Sequence, residues 1–331
     1  TLNVLRFLAR ESGTEDFKSL RILVIHSGGD SRRVPQYSAL GKLFSPVPRL
    51  LPDGRPSTLF DEFLIAMSGV PGRIREGMLL LSGDVLLLFN PLQIDFAGEG
   101  AAALSFKADA ETGRNHGVYL RGEDDNVVEF LHKQTVETLQ ARGAVNSRGC
   151  VDIDTGAVLF SSGILQALYG LVKTEPERFI NEKVRLSLYG DFQYPMASGS
   201  TLEKFFLEKP EGEFCPELEE ARKAVWEALH PFRMKLLRLA PAKFIHFGTT
   251  HEILSLMAAG VEDYTGLGWA RSISSSIKEG AAAGYMSVLS SGAECGEGVY
   301  LEVSSVGPGS RVGSRSILSF VDISGETIPE D

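Results

Sequence analysis

Three cations, Arg32, Arg33 and Lys42, follow the pair Gly28-Gly29 within a fifteen-residue stretch, interleaved with Ser31 and Ser38 and preceded by Ser27. Two glycines in succession let backbone amides face a bound anion without interference from a Cβ. Guanidinium, ammonium and hydroxyl groups at this density supply the charge and donors that a phosphate needs. Across the longer stretch Arg32, Arg33, Lys42, Arg49 and Arg55 stand against only Asp30 and Asp53. The composition is that of a phosphate cradle. A second residue with chemistry to offer is Asp84 in MLLLSGDVLLLF, an acid set between two runs of leucine, where ordinary surface is not expected. It either caps the turn or presents a carboxylate at its tip.

The elements that must hold these groups can be read from periodicity. Leu20 and Ile22 to Ile25 form an apolar, β-branched run ahead of the glycines, the pattern of a strand buried on both faces in a parallel sheet. Ser57 is placed to cap a helix running to about Met67, which Gly69-Val70-Pro71-Gly72 ends. Residues 101–135 alternate as antiparallel strands, with Asp124-Asp125-Asn126 as a hairpin turn. A helix is expected after Ser161 and a longer one from Pro216, ended by Pro231. Residues 1–20 read as a leading helix and a loop.

Two familiar phosphate loops fail on this stretch. A Walker loop requires a glycine where Gln36 stands and Ser or Thr where Leu43 stands, and the dinucleotide fingerprint is interrupted by Asp30 and Ser31. The spacing that fits is G-G-x-G-T-R-x-x-P, then a Lys after nine intervening residues, then a Pro four later, met by Arg32, Pro35, Lys42 and Pro46. Ser27 and Asp30 replace two of its glycines and Ser31 replaces its Thr. On these residues the chain resembles the sugar-1-phosphate nucleotidyltransferases. HSGGDSRRVP, the following GKLFSPVP, and FIHFGTTHE make it similar to the fucose-1-phosphate guanylyltransferase (GDP-fucose pyrophosphorylase) branch, whose domain also occurs in bifunctional fucokinase/GDP-fucose pyrophosphorylases.

That resemblance implies an α/β fold of the nucleotide-diphospho-sugar transferase type, Rossmann-like with a mixed central sheet, and a C-terminal left-handed parallel β-helix segment. It divides the chain into a catalytic domain over 1–258, with a helical insertion at about 161–240 covering the sugar, and a β-helix part over 259–331. Tyr300, Val306, Val312 and Leu318 recur every six residues there, enough for about one coil, with an ordinary pair of strands as the alternative; a single coil is expected either to end beside a partner or to be cut from a longer protein. The implied reaction joins GTP and L-fucose 1-phosphate into GDP-L-fucose and pyrophosphate. Arg32 and Lys42 are its catalytic cations, and Ser27, Gly28, Gly29, Ser31 and Arg33 bind nucleotide. Asp84 matches the Gly-Asp that holds Mg2+, an ion suited to one carboxylate plus phosphate oxygens. Lys133, Asp154, Gly156 and Asp191 border the sugar phosphate. His246 stands where many relatives carry a second metal-binding Asp, and imidazole is a softer ligand than magnesium prefers, so the second ligand is left between His246 and Asp191, the nearest acid candidate. His132-Lys133-Gln134 departs from the usual Glu-Lys-Pro. A plain strand-end role for Lys133, a turn role for Asp154 and a structural role for His246 stay open. So do a fucokinase-type protein and a non-catalytic regulatory homologue.

Bulk composition limits the partners. The 331 residues are 43% hydrophobic, enough for one large α/β domain and a smaller module. A net charge of −10 argues against nucleic acid, which a basic face would bind. No apolar run reaches the roughly 18 residues of a membrane span, and Thr1 opens no signal-like segment. Cys150, Cys215 and Cys295 have no metal-ligand spacing and cannot all pair, which suits a reducing cytoplasm. A homo-oligomer or a fused kinase domain is compatible with all of this.

Overall fold

A computed structural model of the chain describes residues 1–27, 31–96, 98–210 and 212–330. They fall into two units, each drawn from separate parts of the sequence: unit 1 is Thr1–His26, Ser68–Ser82 and Leu88–Lys243, and unit 2 is Ser27–Met67, Gly83–Leu87 and Phe244–Asp331.

Unit 1 is built on a mixed sheet. Its strands are β1 (Arg21–His26), β2 (Gly77–Ser82), β3 (Ala101–Asp109), β4 (Gly117–Arg121), β5 (Val127–His132), β6 (Cys150–Phe160) and β7 (Met234–Arg238). The order is β1-β2-β6-β3-β7, with β4 joined to β6 and to β5. β1 runs parallel to β2 and β3 parallel to β7, whereas β6 is antiparallel to β2, β3 and β4. Central β2 and β6 bury both faces; β2 is apolar almost throughout, whereas β6 carries the buried polar residues Asp152, Asp154 and Thr155 ahead of an apolar end. The β4–β5 hairpin turns at Glu123–Asp125, where Asp124 and Asp125 take left-handed conformations that short polar side chains tolerate.

Helices α1 (Leu2–Ser12), α2 (Ser162–Lys173) and α3 (Pro216–Leu229) turn one apolar stripe each into a common core. On α3, Leu218, Ala221, Val225 and Leu229 recur at helical spacing and are fully buried with Val158, Phe160 and Ile164. Two helices of the stretch 161–240 thus pack into this core. Two readings need correction. β1 is an edge strand rather than one buried on both faces, and Leu23 is 42% exposed, because an apolar run does not reveal how many neighbours a strand has. The start of the helix Leu59–Met67 is closed by Thr58, whose amide and hydroxyl both donate to Asp61 Oδ2 at 2.9 and 2.7 Å, while Ser57 donates to the buried Glu62 at 2.6 Å.

In unit 2 the antiparallel pair Pro46–Leu50 and Pro56–Thr58 precedes that helix. The strands Val85–Phe89 and Ala242–His246, which pair with each other, begin or end there. From Ser272 onward the chain lays down strands of two or three residues in three parallel sheets, four, three and three strands deep. Ala283 lies opposite Tyr300 and Tyr300 opposite Ile317, seventeen residues on in each case. Tyr300, Val306, Val312 and Leu318, the residues of the six-fold repeat, all point inward and are buried. The ladders are deeper than the single repeat counted from sequence, because only one position in six carries the apolar signal. Buried Tyr37 donates to Glu302 Oε2 at 2.5 Å, anchoring the turn after the basic loop to these ladders.

Candidate active site

One group of polar side chains with chemistry to offer lies in unit 2 and another in unit 1. In unit 2 the group is centred on Lys42, which opens the 3-10 turn Lys42–Phe44. Its ammonium donates to Asp84 Oδ2 at 3.1 Å and to the carbonyl of Gly248 at 3.2 Å. Both charged side chains are largely enclosed, 14% and 23% exposed, so the attraction between them is weakly screened. The backbone carbonyl of Asp84 accepts from Phe247 N at 2.7 Å, which fixes the Gly83-Asp84 turn beside the FIHFGTTHE segment. Thr250 donates through its amide and its hydroxyl to the carbonyl of Arg33, at 2.8 and 2.9 Å, and so ties the basic loop to the same segment.

His246 brings its Nε2 to 3.8 Å from Asp84 Oδ2, and its Nδ1 to 2.9 Å from Glu252 Oε1. Glu252 sits three residues after Thr249, the N-cap of the helix Thr250–Ser255, and the two exchange hydrogen bonds: Glu252 N donates to Thr249 Oγ1 at 3.1 Å, and Thr249 Oγ1 donates to Glu252 Oε2 at 2.8 Å. One side chain thus serves the helix start and orients the imidazole. Burial pushes the Glu252 carboxyl up, but hydrogen bonds from His246 and Thr249 outweigh it and hold it below the ordinary range. Facing a carboxylate, Nδ1 carries the proton. A Cβ at Gly248 would lie 2.0 Å from the imidazole Cε1, so a larger residue there would push the His246 ring out of place. Ser31 is buried with φ 48°, while Ser27, Arg32 and Arg33 are exposed. Gly28 and Gly29 lie outside the described residues.

Among the described residues no three His, Cys, Asp or Glu side chains converge as a ready-made metal cage. A single carboxylate such as that of Asp84 would suit an ion that takes most of its ligands from substrate and water, as Mg2+ does.

In unit 1 the group lies on β4, β5 and β6. Asp154 is 7% exposed, and its Oδ1 accepts from the Tyr119 hydroxyl at 2.9 Å and from Gly156 N at 3.0 Å. Gly156 has φ 70°, and a Cβ there would stand 2.8 Å from Ser82 Cβ and 3.4 Å from the Tyr189 hydroxyl. The Tyr189 ring stacks on Phe130 at 6.2 Å and on His132 at 6.4 Å, so an aromatic wall adjoins the carboxylate. Lys133 follows at the exposed end of β5 with φ 47°. Carboxylate, phenol and ring face are the means by which proteins hold polyhydroxylated rings.

Burial pushes the Asp154 carboxyl up to about 6, against smaller opposing effects of Gly156 N–H and the Tyr119 hydroxyl. A carboxyl raised in the folded state binds its proton more tightly there than in the unfolded chain, so stability falls as pH rises from about 4 to about 6. Asp154→Asn keeps the acceptor oxygen and removes the charge. It is expected to gain up to about 3 kcal/mol on wild type across that window, read from urea midpoints at several pH values. A constant difference between the two proteins would refute it.

Asp191 is placed differently. It is 1% exposed, on the helical turn Leu188–Gln193, and accepts from Arg222 Nε at 2.7 Å and from Ser187 N at 2.7 Å. Arg222, itself buried, also donates to the Phe205 carbonyl at 2.8 Å and lies over the Phe205 ring at 4.4 Å. Removing one member of such a pair strands the other charge. Arg222→Ala should cost about 3–5 kcal/mol, visible as a lower denaturation midpoint at unchanged m-value.

The structure thus brings Lys42, Asp84 and His246 together in unit 2, and Asp154 and Gly156 together in unit 1. Sequence reading missed Glu252, Tyr119 and Gln193. Only Glu252 left a signal, the T-x-x-E of a capped helix start.

The chain is similar to fucose-1-phosphate guanylyltransferase of Mus musculus, 26% identical over 95% of this chain and 59% of that protein. It is similar to the Homo sapiens protein of the same name, 27% identical over 96% of this chain and 58% of that one. A bifunctional fucokinase/GDP-fucose pyrophosphorylase of Arabidopsis thaliana is 26% identical over 74% of this chain and 24% of its own length. The chain therefore spans less than two thirds of the curated relatives it matches. The model of the fucose pyrophosphorylase domain matches residues 14–331, and the chain belongs to that family.

Proposed function

We propose that this chain catalyses nucleotidyl transfer between GTP and L-fucose 1-phosphate. A phosphate oxygen of the sugar phosphate attacks the α-phosphorus of GTP, the bond from that phosphorus to the bridging oxygen of the β-phosphate breaks, and pyrophosphate leaves. The observation that carries the reading is the Lys42–Asp84 pair at 3.1 Å, tied through Gly248 and Phe247 to the FIHFGTTHE segment. A metal-bound triphosphate offers each member a partner of opposite charge, so substrate can replace the pair without stranding a charge. No protein nucleophile is required, and catalysis consists of alignment and charge neutralisation.

In this reading Lys42 stands at the α-phosphate, where negative charge builds. Arg32, with Ser27, Gly28, Gly29, Ser31 and Arg33, holds the leaving β and γ phosphates. Asp84, with the His246 ring beside it, would hold Mg2+, which when bound neutralises charge on the nucleotide oxygens. Asp154 accepts a sugar hydroxyl, Gly156 leaves room for the ring, and Lys133 meets the sugar phosphate. Asp191 fixes the turn that carries Tyr189.

The fold reading is a Rossmann-like nucleotide-sugar transferase over 1–258, followed by a left-handed parallel β-helix over 259–331. Support comes from the mixed sheet and from parallel ladders in which Ala283, Tyr300 and Ile317 follow one another at seventeen residues, close to three hexads. A cytoplasmic protein, a homo-oligomer or a fused kinase domain fits; the last is favoured by the name of the Arabidopsis thaliana relative. No helix among the described residues is long and apolar enough to cross a membrane. Pyrophosphate release from GTP and fucose 1-phosphate with Mg2+ tests the activity. Release supports it, whereas phosphorylation of free fucose without such release would favour the kinase-type reading.

A further inference from the structure

The Asp154 group contains one more acceptor than it has protons to share. Tyr119 Oη lies 2.9 Å from Asp154 Oδ1 and 2.8 Å from Gln193 Oε1, yet a phenol has a single proton to donate. At the same time Gln193 Nε2 is buried without a hydrogen-bond partner, in a side chain that is 1% exposed. An orphaned buried amide N–H is costly. Turning the amide by half a revolution, which its like-shaped oxygen and nitrogen ends allow, relieves the conflict at the phenol and leaves the carbonyl rather than the N–H as the buried end without a partner. Gln193 Nε2 then donates to Tyr119 Oη, and the phenol proton goes to Asp154. The chain of bonds acquires a direction, from amide through phenol to carboxylate.

Direction matters for what the carboxylate can do. With Oδ1 receiving Tyr119 and Gly156 N–H, both groups pointing at Asp154 are donors, and Oδ2 is left as an acceptor. Tyr119 and Gln193 are too deep to touch a ligand themselves, being 1% exposed each. They act through Asp154.

We propose that Gln193, through Tyr119, is a positioning and specificity-determining residue of the sugar pocket, holding Asp154 as an acceptor that selects sugar phosphates presenting a hydroxyl donor to it. The inference rests on the assignment of Asp154 to the sugar pocket. A site built around one hydroxyl discriminates strongly against an analogue lacking it, and loosening the acceptor weakens that discrimination.

The test uses the whole chain with GTP, Mg2+, fucose 1-phosphate and a set of its monodeoxy analogues, in wild type, Tyr119→Phe, Gln193→Met and the double variant. Each single variant is expected to raise KM for fucose 1-phosphate about tenfold, with kcat and KM for GTP within about twofold, and to narrow the gap to one deoxy analogue. The double variant should be no worse than Tyr119→Phe, because the amide works only through the phenol. Unchanged KM for the sugar, additive losses, or a uniform fall in activity that follows melting temperature would overturn the relay. Tyr119→Phe keeps the ring in the core and decides alone if Gln193→Met does not fold. Calorimetric binding of fucose 1-phosphate gives the same comparison without turnover: about tenfold weaker binding to Tyr119→Phe supports the relay and equal binding overturns it. A wild type that binds the sugar phosphate but releases no pyrophosphate sinks the proposed activity and leaves the relay to the binding result.

Discussion

Lys42→Ala is expected to lower kcat by about two to three orders of magnitude, the usual loss when one preorganised charge is taken from beside a reacting phosphorus. The side chain has no other large duty: its ammonium contacts Asp84 and the Gly248 carbonyl, and it is 14% exposed. Removing it also leaves Asp84 without its cation, so melting temperature must be measured beside the rate. A folded variant with a collapsed kcat and a modest change in KM for GTP is the expected pattern. Turnover within a few-fold of wild type would remove Lys42 from the chemistry.

Asp84→Asn is expected to abolish metal-dependent turnover, with a loss of at least two orders of magnitude. The substitution preserves shape, and the backbone carbonyl that accepts from Phe247 N is untouched, so the turn should hold. What changes is the charge opposite Lys42 and His246. Titrating Mg2+ against the residual rate separates the possibilities. A weakened or unsaturable response is expected; the wild-type curve, merely scaled, would show that the carboxylate does not serve the ion.

The strongest sequence signals were those set by local pattern. MLLLSGDVLLLF declared two strands and a tip, and Pro216 with its apolar stripe declared α3, because burial on both faces or on one helical face leaves a period in the residues themselves. Position in a sheet leaves no such trace, and for that reason β1 read as central although it lies at an edge. Resemblance supplied Lys42, Asp84 and His246 as separate points, and the structure shows them in mutual reach. Tyr119, Asp154 and Gln193 meet from β4, β6 and the turn after Ser187, across separations that no periodicity spans. Asp191 entered as the nearest acid to the doubtful second metal position, and its pairing with Arg222, thirty-one residues further on, leaves no trace in local pattern.

The path of the backbone carries one more consequence. The chain passes from one unit to the other after His26, Met67, Ser82, Leu87 and Lys243, so Asp84 and Lys42 reach the same unit on different excursions. No single cut would deliver either half as an intact polypeptide, and a gene fragment ending at any of these points would encode an incomplete body. A minimal version of either unit cannot be made by trimming to a boundary; it would need the strands rejoined in a new order.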